Sequence, residues 1–222
     1  MKIKSLLICA CVGAAAVFSS CNKDYEYEKT FVDFVTLETF SDAGATMTFR
    51  QKDDSPLITL TSNQKFPATT FKAGTRIVIS YIPANGLQYV SGPVTIQEAI
   101  TTDGLGYQAE TATAEETDNW ATDPVSIKTI NRSGDYIDFT FVASTSLKGK
   151  TIEMVLDETT QYDEIPQYHL IFKPNTESAV NQYYFYCSYS VSDTWNDPNV
   201  KGIRLNYKDV TLGDHYIDFN KE

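Results

Sequence analysis

Thr75–Ile82 reads TRIVISYI. Ile77, Ile79 and Tyr81 fall on one side of an extended chain, and Arg76, Val78 and Ser80 on the other. Alternation of this kind, rich in β-branched residues, predicts a β-strand with one face in a core. The same period of two continues on both sides. Leu57–Thr61 and Ala45–Gln51 precede it, the latter with Met47 and Phe49 inward. Before them Thr30–Phe40 places Val32, Phe34 and Phe40 on one face and Phe31, Val35 and Leu37 on the other, so little solvent is expected on either side. Ser41-Asp42-Ala43-Gly44 and Asp53-Asp54-Ser55-Pro56 supply the turns between them. After Pro83–Gly86, Leu87–Ile100 carries a fifth strand, broken near Gly92-Pro93. Five strands within residues 29–104, without helical periodicity, predict a small OB-like β-barrel, with a five-stranded half-sandwich as the alternative.

Residues 105–123 change composition. They are short of apolar side chains and rich in Ala, Thr and Glu, and are read as a linker. Residues 124–222 return to the two-residue period. Strands are expected at Val125–Ile130, Asp135–Ala143, Thr151–Leu156, Gln167–Lys173, Gln182–Ser190, Lys201–Tyr207 and Asp214–Phe219. Their inward residues are Ile137, Phe139 and Phe141; Ile152, Met154 and Leu156; Tyr168, Leu170 and Phe172; Tyr183, Phe185, Cys187 and Tyr189; and Ile203, Leu205 and Tyr207. Seven strands with turns at regular intervals predict an immunoglobulin-like β-sandwich without that fold's disulfide. The chain is thus expected to be all-β: barrel first, sandwich second. Gly134-Asp135-Tyr136-Ile137-Asp138-Phe139 is echoed, with one residue inserted, by Gly213-Asp214-His215-Tyr216-Ile217-Asp218-Phe219.

The N-terminus reads as an address. Lys2 and Lys4 precede an apolar run from Ser5 to Phe18, too short to span a bilayer and of the length of a secretion signal. Phe18-Ser19-Ser20-Cys21 resembles a bacterial lipobox. Residues 1–20 are therefore expected to be a lipoprotein signal peptide, Cys21 the lipidation site, and 21–28 an acidic tether. Acyl chains contribute about 0.8 kcal/mol per buried methylene, so a multiply acylated cysteine (palmitate among its chains) holds without a protein span. The expected place is the outer membrane, at its cell-surface or periplasmic face.

Loss of the signal moves the net charge from −11 to −13, which disfavours nucleic acid as a partner. It also leaves Cys187 as the one cysteine besides Cys21, so no internal disulfide is expected and burial must hold the fold. Catalytic and cofactor signals are weak. The two histidines, His169 and His215, lie in or at strands, no G-x-S-x-G occurs, and each reads as structural. No His/Cys cluster suggests zinc. Asp157–Glu164 and Asp193–Asn199 lack the calcium-loop spacing. No metal or cofactor is expected, and a hydrolase is the weakest reading. The favoured one is a non-catalytic binding module with a protein or glycan partner. Trp120 and Trp195 are its candidate ligand contacts, since flat aromatic faces suit sugar rings. Trp120 would otherwise seal the junction between the domains.

The order of parts resembles the NigD-like lipoproteins. The stretches that carry the resemblance are Gly74–Tyr81, Asp123–Ile127 and Gly134–Phe139. It implies a lipid signal, an OB-type domain and a C-terminal sandwich in the envelope. Through the family's association with a bacteriocin locus it implies at most an immunity or accessory role, and it assigns no functional residue.

Overall fold

The structure is a computed structural model describing residues 29–103, 110–112, 122–146, 149–176 and 180–221, with 110–112 described as backbone. Five strands form the N-terminal part: β1 (Phe31–Ser41), β2 (Gly44–Phe49), β3 (Ile58–Ser62), β4 (Thr75–Pro83) and β5 (Gly92–Thr101). They close into a barrel in the order β1-β2-β3-β5-β4. All contacts around it are antiparallel except β3 with β5, which run parallel over a short stretch, Leu60 beside Gly92 and Thr61 beside Pro93. Val35, Leu37, Met47, Leu60, Ile77, Ile79 and Tyr81 fill the interior, and Phe66 and Phe71 from the loop after β3 close one end, edge to face at 5.1 Å. Each such side chain contributes about 1.5–3 kcal/mol by leaving water.

Two expectations about the barrel are corrected. The fifth strand starts at Gly92, because Ala84 N–H bonds Pro93 O and folds the intervening residues into a loop. Leu87, Tyr89 and Val90 are exposed there, and Tyr89 has a left-handed φ of +62°. In β1 a bulge between Leu37 and Thr39 shifts the face, so Phe40 packs with the core against Phe66. Val32, on the other face, is 55% exposed.

The C-terminal part has β6 (Glu110–Ala112), β7 (Ser126–Ser133), β8 (Tyr136–Thr145), β9 (Thr151–Asp157), β10 (Gln167–Lys173), β11 (Asn181–Ser190), β12 (Gly202–Asp209) and β13 (Gly213–Asn220). A five-stranded sheet, β13-β12-β10-β9-β6, faces a three-stranded one, β11-β8-β7. The seven expected strands are present, and β6 is an eighth. It lies inside the stretch read as linker and pairs parallel with β9. Ile137, Phe139 and Phe141 of β8 meet Tyr168, Leu170 and Phe172 of β10, Phe185 and Cys187 of β11, and Ile203 and Leu205 of β12 in one core. Phe141 and Phe185 lie 5.0 Å apart at its centre.

Strand β4 is buried on both faces. Ile77, Ile79 and Tyr81 point into the barrel, yet Val78 and Arg76 on the opposite face are each only 3% exposed. The sandwich covers that face.

Candidate functional site

The cover is built around a cation. Arg76 stands opposite Thr36 on β1, and Asp138 on β8 stands opposite Ser188 on β11. Nη2 of Arg76 bonds Asp138 Oδ2, its Nε donates to Ser188 Oγ at 3.2 Å, and the Ser188 hydroxyl donates to Asp138 Oδ1. The guanidinium also lies 4.6 Å from the Tyr136 ring centre. Burial pushes the Asp138 carboxyl up, while Arg76 and the Ser188 hydroxyl draw it back down. Close by, burial also raises Asp33, against hydrogen bonds from Gln88 and Tyr81. Two further contacts extend the seam: Phe34 against Tyr186 at 6.2 Å, and Asp103, whose carboxylate accepts Tyr186 N–H at 3.0 Å.

A second arginine holds the other end. Arg132 of β7 is buried and grips Asp54 of the β2–β3 loop with both Nη atoms, at 3.1 and 2.8 Å. That bond holds the Asp54 carboxyl below its usual value. Asp53 forms a parallel bridge with Ser133, and Ser133 donates to Arg50 O at 2.8 Å. The Arg132 guanidinium lies 3.8 Å from the Trp195 ring centre. Beside this contact runs a cleft of about 950 Å³ between the two parts, lined by Lys52, Asp53, Trp195, Asn196 and Lys221 among others.

This is where Trp195 sits. The one-turn helix Ser192–Trp195 folds the indole into the sandwich core, 6% exposed, under Arg132 and with Lys221 Nζ 5.5 Å from its ring. Among the described residues two cations, Arg132 and Lys221, lie against its ring, and only a small part of the indole reaches the cleft. Trp120 and Cys21 lie outside the described residues. Cys187 is fully buried in the sandwich core.

The two histidines, far apart in sequence, share a groove. On the outer face of the five-stranded sheet His169 stands beside Asn206, and Asn206 opposite Tyr216. His215 pairs with Tyr207 on the opposite, core-facing side of β12 and β13, edge to face at 5.6 Å, with its ring 6.2 Å from that of Tyr216. These residues, with Thr122, Asp157, Lys208 and Asp214, line a volume of about 460 Å³. Burial holds the His169 imidazole below its usual pKa, so it is neutral at pH 7. Sequence reasoning treated the histidines one at a time; their common groove follows from the strand order β13-β12-β10, which local periodicity does not contain. Among the described residues, no group of three or more His, Cys, Asp and Glu is placed to hold a metal, and no helix is long and apolar enough to cross a membrane.

Comparison with known proteins places this architecture. The profile of the NigD-like C-terminal β-sandwich domain matches residues 108–221. A protein of unknown function from Bacteroides vulgatus superposes with a TM-score of 0.66 at 17% identity, covering 87% of this chain and 92% of its own. A protein described as toxin related, from Parabacteroides distasonis, gives 0.61 at 13% identity, covering 87% and 94%. A NigD-like immunity protein from Bacteroides caccae gives 0.57 at 13% identity, covering 89% and 100%. No curated protein matches the chain. The identities are too low to carry more than the fold, but the profile spans the sandwich and begins two residues before β6, and on that match the chain belongs to the NigD-like family.

Proposed function

We propose that this protein is a non-catalytic envelope lipoprotein of the immunity or accessory type, which works by binding a protein partner. The observation that carries the reading is the family match over 108–221. One solved protein of the same fold is described as a NigD-like immunity protein and another as toxin related. The geometry suits such a role. Two β-domains joined by two buried arginines and their carboxylate partners present a preorganised surface, and binding a partner then costs little ordering of the protein itself. Cys21 anchors the chain by lipid in the outer membrane.

The test is a deletion strain challenged with culture supernatant of its own parent. Killing of the deletion strain, reversed by the intact gene, is the expected result. Survival equal to that of the parent overturns the immunity reading. Complementation with Cys21→Ala is expected to leave the protein out of the membrane fraction. A Cys21→Ala product that still sediments with membranes would refute the anchor.

A further inference from the structure

We propose that the groove on the outer face of the five-stranded sheet is a binding site for a neutral sugar ring of an envelope glycan. This goes beyond the immunity reading and stands or falls separately from it.

Its volume of about 460 Å³ is within the range of small-ligand sites, and it gathers a few polar groups around the ring of Tyr216. Tyr216 is 50% exposed although Arg204 packs 3.9 Å from its ring centre. Arg204 is itself fixed by a two-point bond to Asp218, at 2.7 and 2.9 Å, so Tyr216 is held from behind. A pyranose ring stacks on such a surface through its C–H face.

The polar groups are of both kinds, as hydroxyls require. Asn206 spends its amide nitrogen on Gln167 and on Tyr168 O, at 3.2 and 3.3 Å, which leaves its amide oxygen as an acceptor. The Tyr216 hydroxyl, the Lys208 ammonium and the Asp214 carboxylate have no hydrogen-bond or ion-pair partner among the described residues, although Lys208 and Asp214 face each other across β12 and β13. A hydroxyl both donates and accepts, and so uses such a set fully. A phosphate or carboxylate ligand would meet Asp157 and Asp214 with one lysine and a neutral His169 to offset them. The charge thus favours an uncharged ligand.

The test uses the full chain in mild detergent and saturation-transfer NMR. The probes are maltotriose, cellotriose, chitotriose, mannotriose and xylotriose, with trigalacturonate as the anionic comparison. At least one neutral trisaccharide is expected to bind in the millimolar range, at about 5 mM or tighter. Tyr216→Ala is expected to weaken it about tenfold, a loss of about 1.4 kcal/mol. Asp214→Asn is expected to weaken it less. Tyr162→Ala, a 90% exposed tyrosine on the β9–β10 loop, should leave it unchanged. The proposal is overturned if no neutral trisaccharide binds, if trigalacturonate binds better than all of them, if Tyr216→Ala binds as the wild type does, or if Tyr162→Ala loses binding equally.

Discussion

Arg76 decides more than any other side chain described above. Its partner Asp138 is almost wholly buried, so removing the guanidinium strands a carboxylate in a buried seam. Arg76→Ala should therefore lower stability by about 3–5 kcal/mol, and Arg76→Met with Asp138→Leu should recover much of the loss, since breaking one half of a buried pair costs more than replacing both. Urea denaturation of the three proteins checks this. The carboxylates here also divide by sign. Burial raises Asp33 above the ordinary 3.8, so its contribution to stability is fully present below that value and is lost as pH rises through the raised one. Arg204 holds Asp218 below 3.8, so its contribution is present above 3.8 and is lost as pH falls through the lowered one. Asp33→Asn is accordingly expected to raise the melting temperature near pH 7 and to flatten its change between about pH 7 and about pH 4. Melting curves in which wild type and Asp33→Asn keep a constant difference across that range would contradict it.

At the scale of strands and turns, two glycines make a contrast. Gly44 starts β2 at φ +137°, and a Cβ there would lie 2.1 Å from Ser62 O on β3. Gly213 starts β13 at φ +73° with open space around it. Gly213→Ala should cost only the left-handed backbone penalty, about 1–2 kcal/mol. Gly44→Ala should cost distinctly more, because β2 and β3 must part. Thermal melts of both variants give the order.

The period-two reading recovered most strands, because Ile77, Phe139 and Leu170 each sit in a run whose alternation the pleat imposes. It overlooked β6, since Glu110-Thr111-Ala112 has no apolar face to declare itself and owes its strand to the free edge of β9. It ran β5 too far back, since Leu87 and Tyr89 follow the period of two without being buried. The echo between Gly134–Phe139 and Gly213–Phe219 was visible, but not its use. Each copy sets a tyrosine and an aspartate around an arginine: Tyr136 and Asp138 around Arg76, Tyr216 and Asp218 around Arg204. Which arginine answers is decided by neighbours 62 residues away in the first case and 14 in the second.

At the scale of the whole molecule, Arg76 and Arg132 tie the barrel to the sandwich. Calorimetry is expected to show one cooperative transition for the full chain, and two in Arg76→Ala/Arg132→Ala, where barrel and sandwich melt apart. Two transitions already in the wild type would refute the coupling. The doubly buried β4 has a consequence in time. Synthesis runs from the N-terminus, and the barrel's last strand is complete at Thr101. The strip bearing Arg76 and Val78 is not covered until β8 and then β11, which ends at Ser190, have followed. Until then a half-made chain displays a greasy, charged stripe that the finished protein never shows, a mark by which a chaperone or protease can tell the unfinished molecule from the finished one.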